Sequence, residues 1–384
     1  MVPPKASTKP KSAPNSKRKI KRSEGYSAKE PSNNQDGTIE TSASSTVIPL
    51  ELNQLLLNIF KTSFAERLSL NFTPLLQEVK QHLYNRDFLK AFGRNDYLEA
   101  YAARWSPSRA LGYLEILNHL SDHISPTQEQ ESERGNLHRK IVCLGGGAGA
   151  EIVALAGFLS LFQRRVDEGG EGSQSGVGSE ISEHLQRQFE VIAIDIGSWT
   201  PVVEALQASI TTAPPLSKYA STAAKAVNVP LAAPHSFHIT FRQHDILSVD
   251  FSELSPFLAD ANLITLMFTL NELYSTSLSQ TQMFLLSLTS CLQPGALLLV
   301  VDSPGSYSTV PLNGTEKKYP MQWLLDHTLL HTTTTEDASD LSKNEGLWDK
   351  PVTYESRWFR LPERLKYPIE LENMRYQLHL FKRR

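Results

Sequence analysis

The 384-residue chain is long enough for one large domain or two ordinary ones, and its 40% hydrophobic content predicts a mostly globular protein. Its net charge of −3 conceals a basic start: nine Lys/Arg and two Glu give residues 1–30 a balance of +7, which leaves −10 for the rest. The acidic remainder excludes a body that coats nucleic acid indiscriminately, and the lack of a run of about 18 apolar residues excludes a membrane-spanning helix.

Residues 1–45 are rich in Lys, Pro, Ser and Asn and have almost no large apolar side chain, so we expect them to be disordered. The start "MVPPKASTKP" does not resemble a secretory signal. The run "KRKIKR" at 17–22 is typical of a nuclear import signal or a weak RNA contact, and it equally fits a solvated tail.

Apolar residues at helical spacing predict a helical N-terminal subdomain over 46–126. Within it, the pattern favours a helix that starts at Ser106, with Ser106 as the cap and Pro107 in the first helical position. Residues 126–138 form a charged linker. A second domain is predicted over 139–384.

In this second domain, short apolar runs alternate with helical patterns, which indicates a parallel sheet covered on both faces. Two final runs, at 354–361 and 375–381, predict a closing antiparallel pair. Segments near 164–188, 211–235 and 327–347 interrupt the alternation and are predicted to be mobile surface insertions. The five predicted parallel strands are "KIVCLG" (140–145), "FEVIAIDI" (189–196), "ITFRQHDI" (239–246), "ANLITLMFTL" (261–270) and "ALLLVVDS" (296–303).

The two cysteines, Cys143 and Cys291, are each flanked by apolar residues. We interpret both as buried thiols in a reducing, intracellular compartment. No Cys/His spacing supports a metal site.

A glycine-rich turn, "GGGAGAE" at 145–151, stands between the first strand and the following helix, where nucleotide sites occur. Gly145 permits the tight turn, Gly147 lets the backbone approach a ligand, and Gly149 lets helix and strand pack closely. The free N–H groups of the helix N-terminus can then bind polar ligand atoms. A purely structural turn would explain one or two of these glycines.

Acidic residues follow the next two strands. Asp195 ends the second strand, where a carboxylate can accept hydrogen bonds from both ribose hydroxyls. Asp245 ends the third strand, where it could accept a hydrogen bond from an adenine amino group. Each acid could instead cap a helix or loop, and this capping role is a stronger alternative to ligand binding at Asp245 than at Asp195.

This strand order, with acids after strands two and three, resembles the class I S-adenosylmethionine-dependent methyltransferases. "RWSPSRALGY" (104–113), "CLGGGAGAE" (143–151), "FTLNELYSTS" (268–277) and "VVDSPGSYS" (300–308) are similar to the fungal methyltransferase family that includes the 25S ribosomal RNA uridine-N(3) methyltransferases. The resemblance covers roughly residues 50–384. It implies a Rossmann-like, mostly parallel seven-stranded sheet and S-adenosylmethionine as cofactor, with no metal.

For such chemistry, candidate catalytic residues follow strands four and five. Asn271 could hold a uracil edge, and Glu272 or Asp302 could take the N(3) proton. Tyr307 could stack on an unpaired base. The alternative for Asn271 and Glu272 is a helix start, capped by Thr269 or Asn271, with Glu272 in its first turn. The alternative for Asp302 and Tyr307 is a tight turn with a core tyrosine. The Asn/Asp-Pro-Pro-aromatic signature of many N-methyltransferases is absent.

In the helical part, Arg104 and Arg109, with Trp105 between them, could close over cofactor or RNA; Trp105 could equally be a core residue. The resemblance implies ribosomal RNA or a pre-ribosomal particle as partner and the nucleus, most plainly the nucleolus, as location, with the cytoplasm as the alternative. Two rival functions stay open: methylation of a protein or small molecule, and a non-catalytic cofactor-binding scaffold in ribosome assembly. The sequence does not indicate an oligomeric state.

Overall fold

The computed structural model describes residues 47–69, 72–124, 138–169, 187–216, 218–226, 228–305, 307–312, 315–330 and 346–384. The predicted disordered tail lies outside these residues, as do nearly all of the charged linker and the middle parts of two predicted insertions, near 170–186 and 331–345.

A seven-stranded sheet forms the centre of the fold. Its strand order is β3-β2-β1-β4-β5-β9-β8; β1 to β5 pair in parallel, while β9 pairs antiparallel with both β5 and β8. The predicted mostly parallel seven-stranded sheet with a closing antiparallel pair is confirmed. A separate two-stranded hairpin, β6 with β7, was not anticipated. The strands are β1 (His138–Leu144), β2 (Gln188–Asp195), β3 (Phe237–Gln243), β4 (Leu263–Met267), β5 (Leu297–Asp302), β6 (Tyr307–Leu312), β7 (Thr315–Pro320), β8 (Trp348–Phe359) and β9 (Met374–Arg383).

Helices cover both faces of the sheet and bury two separate hydrophobic clusters. One cluster combines the sheet with α1, α5, α7 and α8, and the other combines it with α10, α12 and α13. The helices are α1 (Leu50–Ser63), α2 (Ala65–Ser69), α3 (Phe72–Tyr84), α4 (Phe88–Ala91), α5 (Asn95–His119), α6 (Ser121–Ile124), α7 (Ala150–Gly169), α8 (Thr200–Thr211), α9 (Thr222–Ala226), α10 (Phe251–Leu258), α11 (Leu270–Thr276), α12 (Leu278–Cys291) and α13 (Met321–Leu330).

The central strands are apolar throughout because both of their faces are covered. Every residue of β4 and β5 is buried, which is the pattern expected of parallel strands between two helical layers. The N-terminal helices share the first cluster with α7 and α8. The domain boundary at 126 stays a prediction. Within the described ranges, no helix has the length and apolarity needed to cross a bilayer.

The predicted helix start at Ser106 and Pro107 is wrong, because α5 runs unbroken from Asn95 to His119 with Pro107 in its interior. A proline there has no N–H to donate to the carbonyl four residues earlier, that of Ala103. The Tyr367 hydroxyl donates to that carbonyl at 2.9 Å, so the missing donor is replaced. The Ser106 hydroxyl donates instead to the Ala148 carbonyl, at 2.6 Å, and ties α5 to the glycine-rich turn.

Several predicted boundaries also move. The strand predicted over 261–270 ends at Met267 and the next helix begins at Leu270; the strand predicted over 239–246 ends at Gln243, so Asp245 lies in the following loop. The insertions predicted at 164–188, 211–235 and 327–347 contain the end of α7, all of α9 and the end of α13, respectively. Both thiols are free, and Cys143 is buried as predicted; Cys291, predicted to be buried, is partly exposed.

Candidate active site

A cavity of about 580 Å³ lies at the carboxyl ends of the parallel strands. The glycine-rich turn, the end of β2 and the loop after β3 line one part of it; the end of β4, α11 and the N-terminal helices line the rest. Its volume falls in the range that holds ligands of drug or cofactor size. The position at the carboxyl ends of the strands is the one that ligands occupy in open α/β sheets.

The glycine-rich turn connects the end of β1 to α7 and forms part of the cavity wall. The φ angles of Gly145 and Gly149 are +80° and +83°, a region that residues with a Cβ rarely adopt. A Cβ at Gly149 would overlap Leu206 of α8, so this glycine permits close packing against that helix. A Cβ at Gly147 would overlap the Trp199 ring. The space at Gly147 therefore accommodates an indole, where the sequence had suggested a ligand.

Asp195 connects the turn to the end of β2. Its Oδ2 accepts a hydrogen bond from the Gly147 N–H at 3.0 Å, and its Oδ1 accepts one from the Gly197 N–H at 3.1 Å. Burial raises the pKa of this carboxyl, while the Gly197 and Gly147 donors act in the opposite direction. The side chain also lines the cavity, where a carboxylate can accept from a ligand hydroxyl; the Trp199 indole and the Ile196 N–H also act to lower its pKa.

Glu151, which sequence reasoning did not assign, is a second buried carboxyl at the cavity wall. Its Oε1 accepts a hydrogen bond from the Thr265 hydroxyl of β4 at 2.5 Å. Burial raises the pKa of Glu151 to about 8, and the nearby charge of Asp195 adds to this effect. An acid in the first turn of a helix is so ordinary that its position gave no signal.

Asp245 lines the cavity from the loop after β3. Its Oδ1 accepts a hydrogen bond from the Leu247 N–H at 3.0 Å, and its Oδ2 accepts one from the Ser248 hydroxyl. The carboxylate therefore also caps its own loop, as the alternative interpretation held.

Helix α5 contributes a cation to the cavity. Arg109 is half-buried, its Nη1 donates to the Tyr101 hydroxyl at 3.0 Å, and its guanidinium lies 5.1 Å from the centre of the Phe268 ring. Among the described residues, no carboxylate is within ion-pair distance of Arg109. Arg104 pairs with Glu372 and does not line the cavity, so the structure separates the two predicted arginines.

An aromatic wall stands beside Arg109. Tyr101 lies 4.8 Å from Trp105, 5.4 Å from Phe92 and 5.8 Å from Trp199, measured between ring centres. All four rings line the cavity. Trp105 is thus packed and cavity-lining at once, and the wall provides apolar surface against which the flat or aliphatic parts of a ligand could pack.

The four candidate catalytic residues do not converge on one point. Glu272 lines the cavity, whereas Asn271, Asp302 and Tyr307 do not. Buried Asp302 accepts hydrogen bonds from the backbone N–H groups of Asn271, at 2.9 Å, and Ser303, at 2.7 Å, and so holds the start of α11. Burial raises the pKa of Asp302 to about 6.

The link between β4 and α11 is strained. Phe268 has a φ of 59°, an uncommon conformation for a bulky side chain, and it lines the cavity between Arg109 and Tyr113. Thr269 occupies the N-cap position of α11 without making a side-chain cap bond, so the helix start depends on Asp302. Glu272 lies in the first turn, as the alternative interpretation held.

The polar groups present fit S-adenosylmethionine. A carboxylate at the end of β2 suits the ribose hydroxyls, and the Arg109 guanidinium suits the methionyl carboxylate. Among the described residues, no group of three or more His, Cys, Asp or Glu side chains could hold a metal ion.

Comparisons with known proteins agree with this geometry. Residues 60–382 match the model of a family described as "Putative SAM-dependent methyltransferase". The chain is 31% identical over 345 residues to the 25S rRNA (uridine(2843)-N(3))-methyltransferase of Saccharomyces cerevisiae, covering 88% of this chain and 86% of that protein.

Solved structures that are similar to the chain include two methyltransferases. A SAM-dependent methyltransferase from Methanosarcina mazei is 11% identical with a TM-score of 0.33, and the match covers 67% of this chain and 98% of that one. An O-methyltransferase family protein from Burkholderia thailandensis is 12% identical with a TM-score of 0.31, and the match covers 81% of this chain and 72% of that one.

Proposed function

The chain belongs to the SAM-dependent methyltransferase family, and on that premise we propose that it methylates N(3) of a uridine in large-subunit ribosomal RNA. The observation that carries the proposal is the identity to the yeast enzyme, which extends over nearly the whole length of both chains. The presence of the glycine-rich turn, Asp195 and Asp245 at the cavity supports an active enzyme over a non-catalytic scaffold.

We propose that the cavity binds S-adenosylmethionine through three groups of contacts. Asp195 accepts from the ribose hydroxyls, Asp245 lies at the adenine end, and Arg109 pairs with the methionyl carboxylate. The turn at Gly145 and Gly149 shapes the cavity wall between them. When bound, the cofactor supplies an activated methyl group whose bond to sulfur breaks as the bond to N(3) forms, with the electron pair staying on sulfur.

Glu272 is the proposed acceptor of the uridine N(3) proton. It is the one candidate base of the two that lines the cavity, and a carboxylate in hydrogen-bond reach can take a weakly acidic proton as the nucleophile reacts. Asp302 acts in this proposal as a positioning residue, because its bond to the Asn271 N–H fixes the helix turn that carries Glu272. Asn271 and Tyr307 do not line the cavity, and in this proposal they contact the RNA outside it.

The target uridine has to leave its stack for its Watson–Crick edge to enter the cavity, because stacked and paired bases do not expose N(3). An unpaired loop or an immature ribosomal particle is therefore the proposed substrate. The proposed location is the nucleus, with residues 1–45 as the targeting segment. A fluorescent fusion that lacks these residues should shift toward the cytoplasm, and an unchanged distribution would reject the targeting role.

Nucleoside analysis tests the proposed substrate. Ribosomal particles from cells lacking the gene are incubated with the purified full chain and tritiated S-adenosylmethionine. RNA and protein are then separated and counted, and the RNA is digested and examined by mass spectrometry. The expected product is 3-methyluridine in the large-subunit RNA, and the untreated RNA should lack it at one position. Label in a protein fraction only would overturn the RNA assignment, and label in another nucleoside would overturn the uridine assignment.

A further inference from the structure

The turn between α3 and α4 places an exposed aromatic and an exposed cationic side chain at the edge of the cavity. Tyr84, Arg86 and Phe88 all line the cavity, although the proposed cofactor contacts lie elsewhere on its wall. The Tyr84 side chain is 86% exposed. A large ring this open to water contributes little to the core, so it provides a free face at the entrance.

The backbone of the turn holds Arg86 in an unfavourable conformation. The Asp87 N–H donates to the His82 carbonyl at 2.9 Å and the Arg86 N–H donates to the Leu83 carbonyl at 3.0 Å, the hydrogen-bond pattern of a Schellman motif. Arg86 occupies the position that usually carries glycine and has a φ of 54°. A charged side chain kept where glycine would fit better is the kind of backbone outlier that functional sites contain.

Arg86 faces the candidate base across the cavity entrance. Its Nη1 lies 3.9 Å from Oε2 of Glu272, too far for a hydrogen bond. That oxygen is shielded from solvent and accepts no hydrogen bond from the described residues. A cationic donor and an unsatisfied acceptor therefore stand side by side at the cavity wall.

This pair matches one edge of uracil. A uracil presents a carbonyl acceptor beside the N(3)–H donor, so its carbonyl can accept from Arg86 while its N(3)–H donates to Glu272. Cytosine held in the same register, with its carbonyl at Arg86, has no hydrogen at N(3) and would set a lone pair against the Glu272 carboxylate; its exocyclic amino group could reach that carboxylate only in a shifted register. The exposed Tyr84 ring offers a surface on which a splayed-out base can stack.

We propose that Tyr84, Arg86 and Glu272 form a nucleobase subsite that selects uracil over cytosine, an inference that rests on the proposed RNA substrate. Arg86 reads the carbonyl, Glu272 reads the N(3)–H and Tyr84 stacks on the ring. The subsite joins the turn between α3 and α4 to the first turn of α11, and it gives a function to the part of the cavity that α3 and α4 border.

Equilibrium binding tests the subsite without relying on catalysis. Fluorescein-labelled single-stranded hexauridylate and hexacytidylate are titrated with the full chain in the presence of S-adenosylhomocysteine, and anisotropy gives each Kd. The wild-type chain should prefer hexauridylate by about tenfold or more, the size expected for one hydrogen bond with a charged partner. Equal affinities for the two oligonucleotides would overturn the proposal.

Arg86→Gly is the decisive variant, because it removes the side chain and relieves the backbone at the same position. We expect its Tm to be equal to or above the wild-type Tm, its S-adenosylhomocysteine Kd to stay within about twofold, and its uridine preference to decrease, because only the Glu272 contact to N(3)–H remains to fix the register of the base. Arg94→Ala is the matched control: Arg94 is exposed, pairs with Asp96 and does not line the cavity. An undiminished uridine preference in Arg86→Gly would overturn the role of Arg86.

Tyr84→Ala should weaken hexauridylate and hexacytidylate alike, because stacking tolerates either pyrimidine. Its control is Tyr219→Ala, since Tyr219 is similarly exposed, at 82%, and lies away from the cavity. Equal losses in these two variants would reject the stacking role.

If the wild-type chain prefers hexauridylate but transfers no methyl group to RNA, the proposed function fails while the subsite stands. If the wild-type chain methylates uridine in RNA and Arg86→Gly keeps the full preference for hexauridylate, the proposed function stands and the subsite fails.

Discussion

Arg109→Met tests whether the half-buried cation of α5 binds the carboxylate of the cofactor. The guanidinium lines the cavity, is held by the Tyr101 hydroxyl at 3.0 Å and lies 5.1 Å from the centre of the Phe268 ring, yet no carboxylate among the described residues pairs with it. Methionine keeps much of the aliphatic volume and removes the charge. A hydrogen bond to a charged group contributes about 1.5–3 kcal/mol, which corresponds to about 10- to 150-fold in Kd.

The assay is a double-mutant-type cycle in which the Arg109 guanidinium and the carboxylate of the ligand are removed separately and together. Calorimetric titration measures the Kd of S-adenosylmethionine and of decarboxylated S-adenosylmethionine, each with wild type and with Arg109→Met. Wild type should bind the decarboxylated ligand about 10- to 150-fold more weakly. Arg109→Met should bind the two ligands with nearly equal affinity, because neither then has a partner for the carboxylate.

Comparing two ligands on the same variant separates a lost contact from a damaged fold. General damage to the cavity would weaken both ligands and leave their ratio as in wild type, and that outcome would refute the assignment. Tyr101→Phe is the companion variant, since it removes only the hydroxyl that orients Arg109. It should reduce the ratio between the two ligands without abolishing it.

Three further changes probe the cavity wall and its supports. The pKa of Glu151 is about 8 in the folded chain against 4.5 ordinarily, so the folded state binds the extra proton and wild-type stability falls as pH rises through that window. Glu151→Gln removes this loss, and the Tm of the variant relative to wild type should therefore increase from about pH 5 to about pH 8 in calorimetry; a difference that stays constant with pH would contradict it. Gly149→Ala sets a Cβ against Leu206 at a positive φ and should lower the free energy of unfolding by about 2–4 kcal/mol in urea, whereas a loss below about 1 kcal/mol would contradict the close packing. Asp302→Ala leaves the Asn271 N–H without its acceptor and should cost about 1–3 kcal/mol in the same assay; unchanged stability would show that Asp302 does not hold the start of α11.

Much of the fold follows from patterns that are local in the sequence. Buried parallel strands need apolar side chains on both faces, and the helices between them need apolar residues at helical spacing, so the alternation after residue 139 predicted the sheet. The positive φ angles at Gly145 and Gly149 strongly favour residues without a Cβ, so the glycines in the sequence indicate such a turn. Asp195 at the end of β2 and Asp245 in the loop after β3 could be found in the same local way, because each follows a run of apolar residues.

Local patterns failed where a distant residue supplies what the sequence neighbours lack. Pro107 reads as a helix start, but the helix continues because the Tyr367 hydroxyl bonds the carbonyl that the proline leaves without a donor. Asp302 reads as a candidate base at a strand end, which stays a prediction; its hydrogen bond from the N–H of Asn271 is a contact that its sequence neighbours do not indicate. Each outcome depends on a contact between separate elements, and no periodicity encodes such a contact.

The sequence by itself thus determined the layered α/β sheet and the glycine-rich turn, because each depends on residues near one another in the chain. The cofactor followed from the strand order, from the acids after strands two and three, and from the family that they resemble. Only the tertiary structure decided which charged groups face the cavity. Arg109 lines the cavity and makes no ion pair with a carboxylate among the described residues, whereas Arg104, five residues earlier, pairs with Glu372 outside the cavity. The Arg86–Glu272 pair exists only because the turn after α3 packs near the start of α11. Burial and pairing are properties of the folded surface, and they are what give these side chains their charge state and their free hydrogen-bonding capacity.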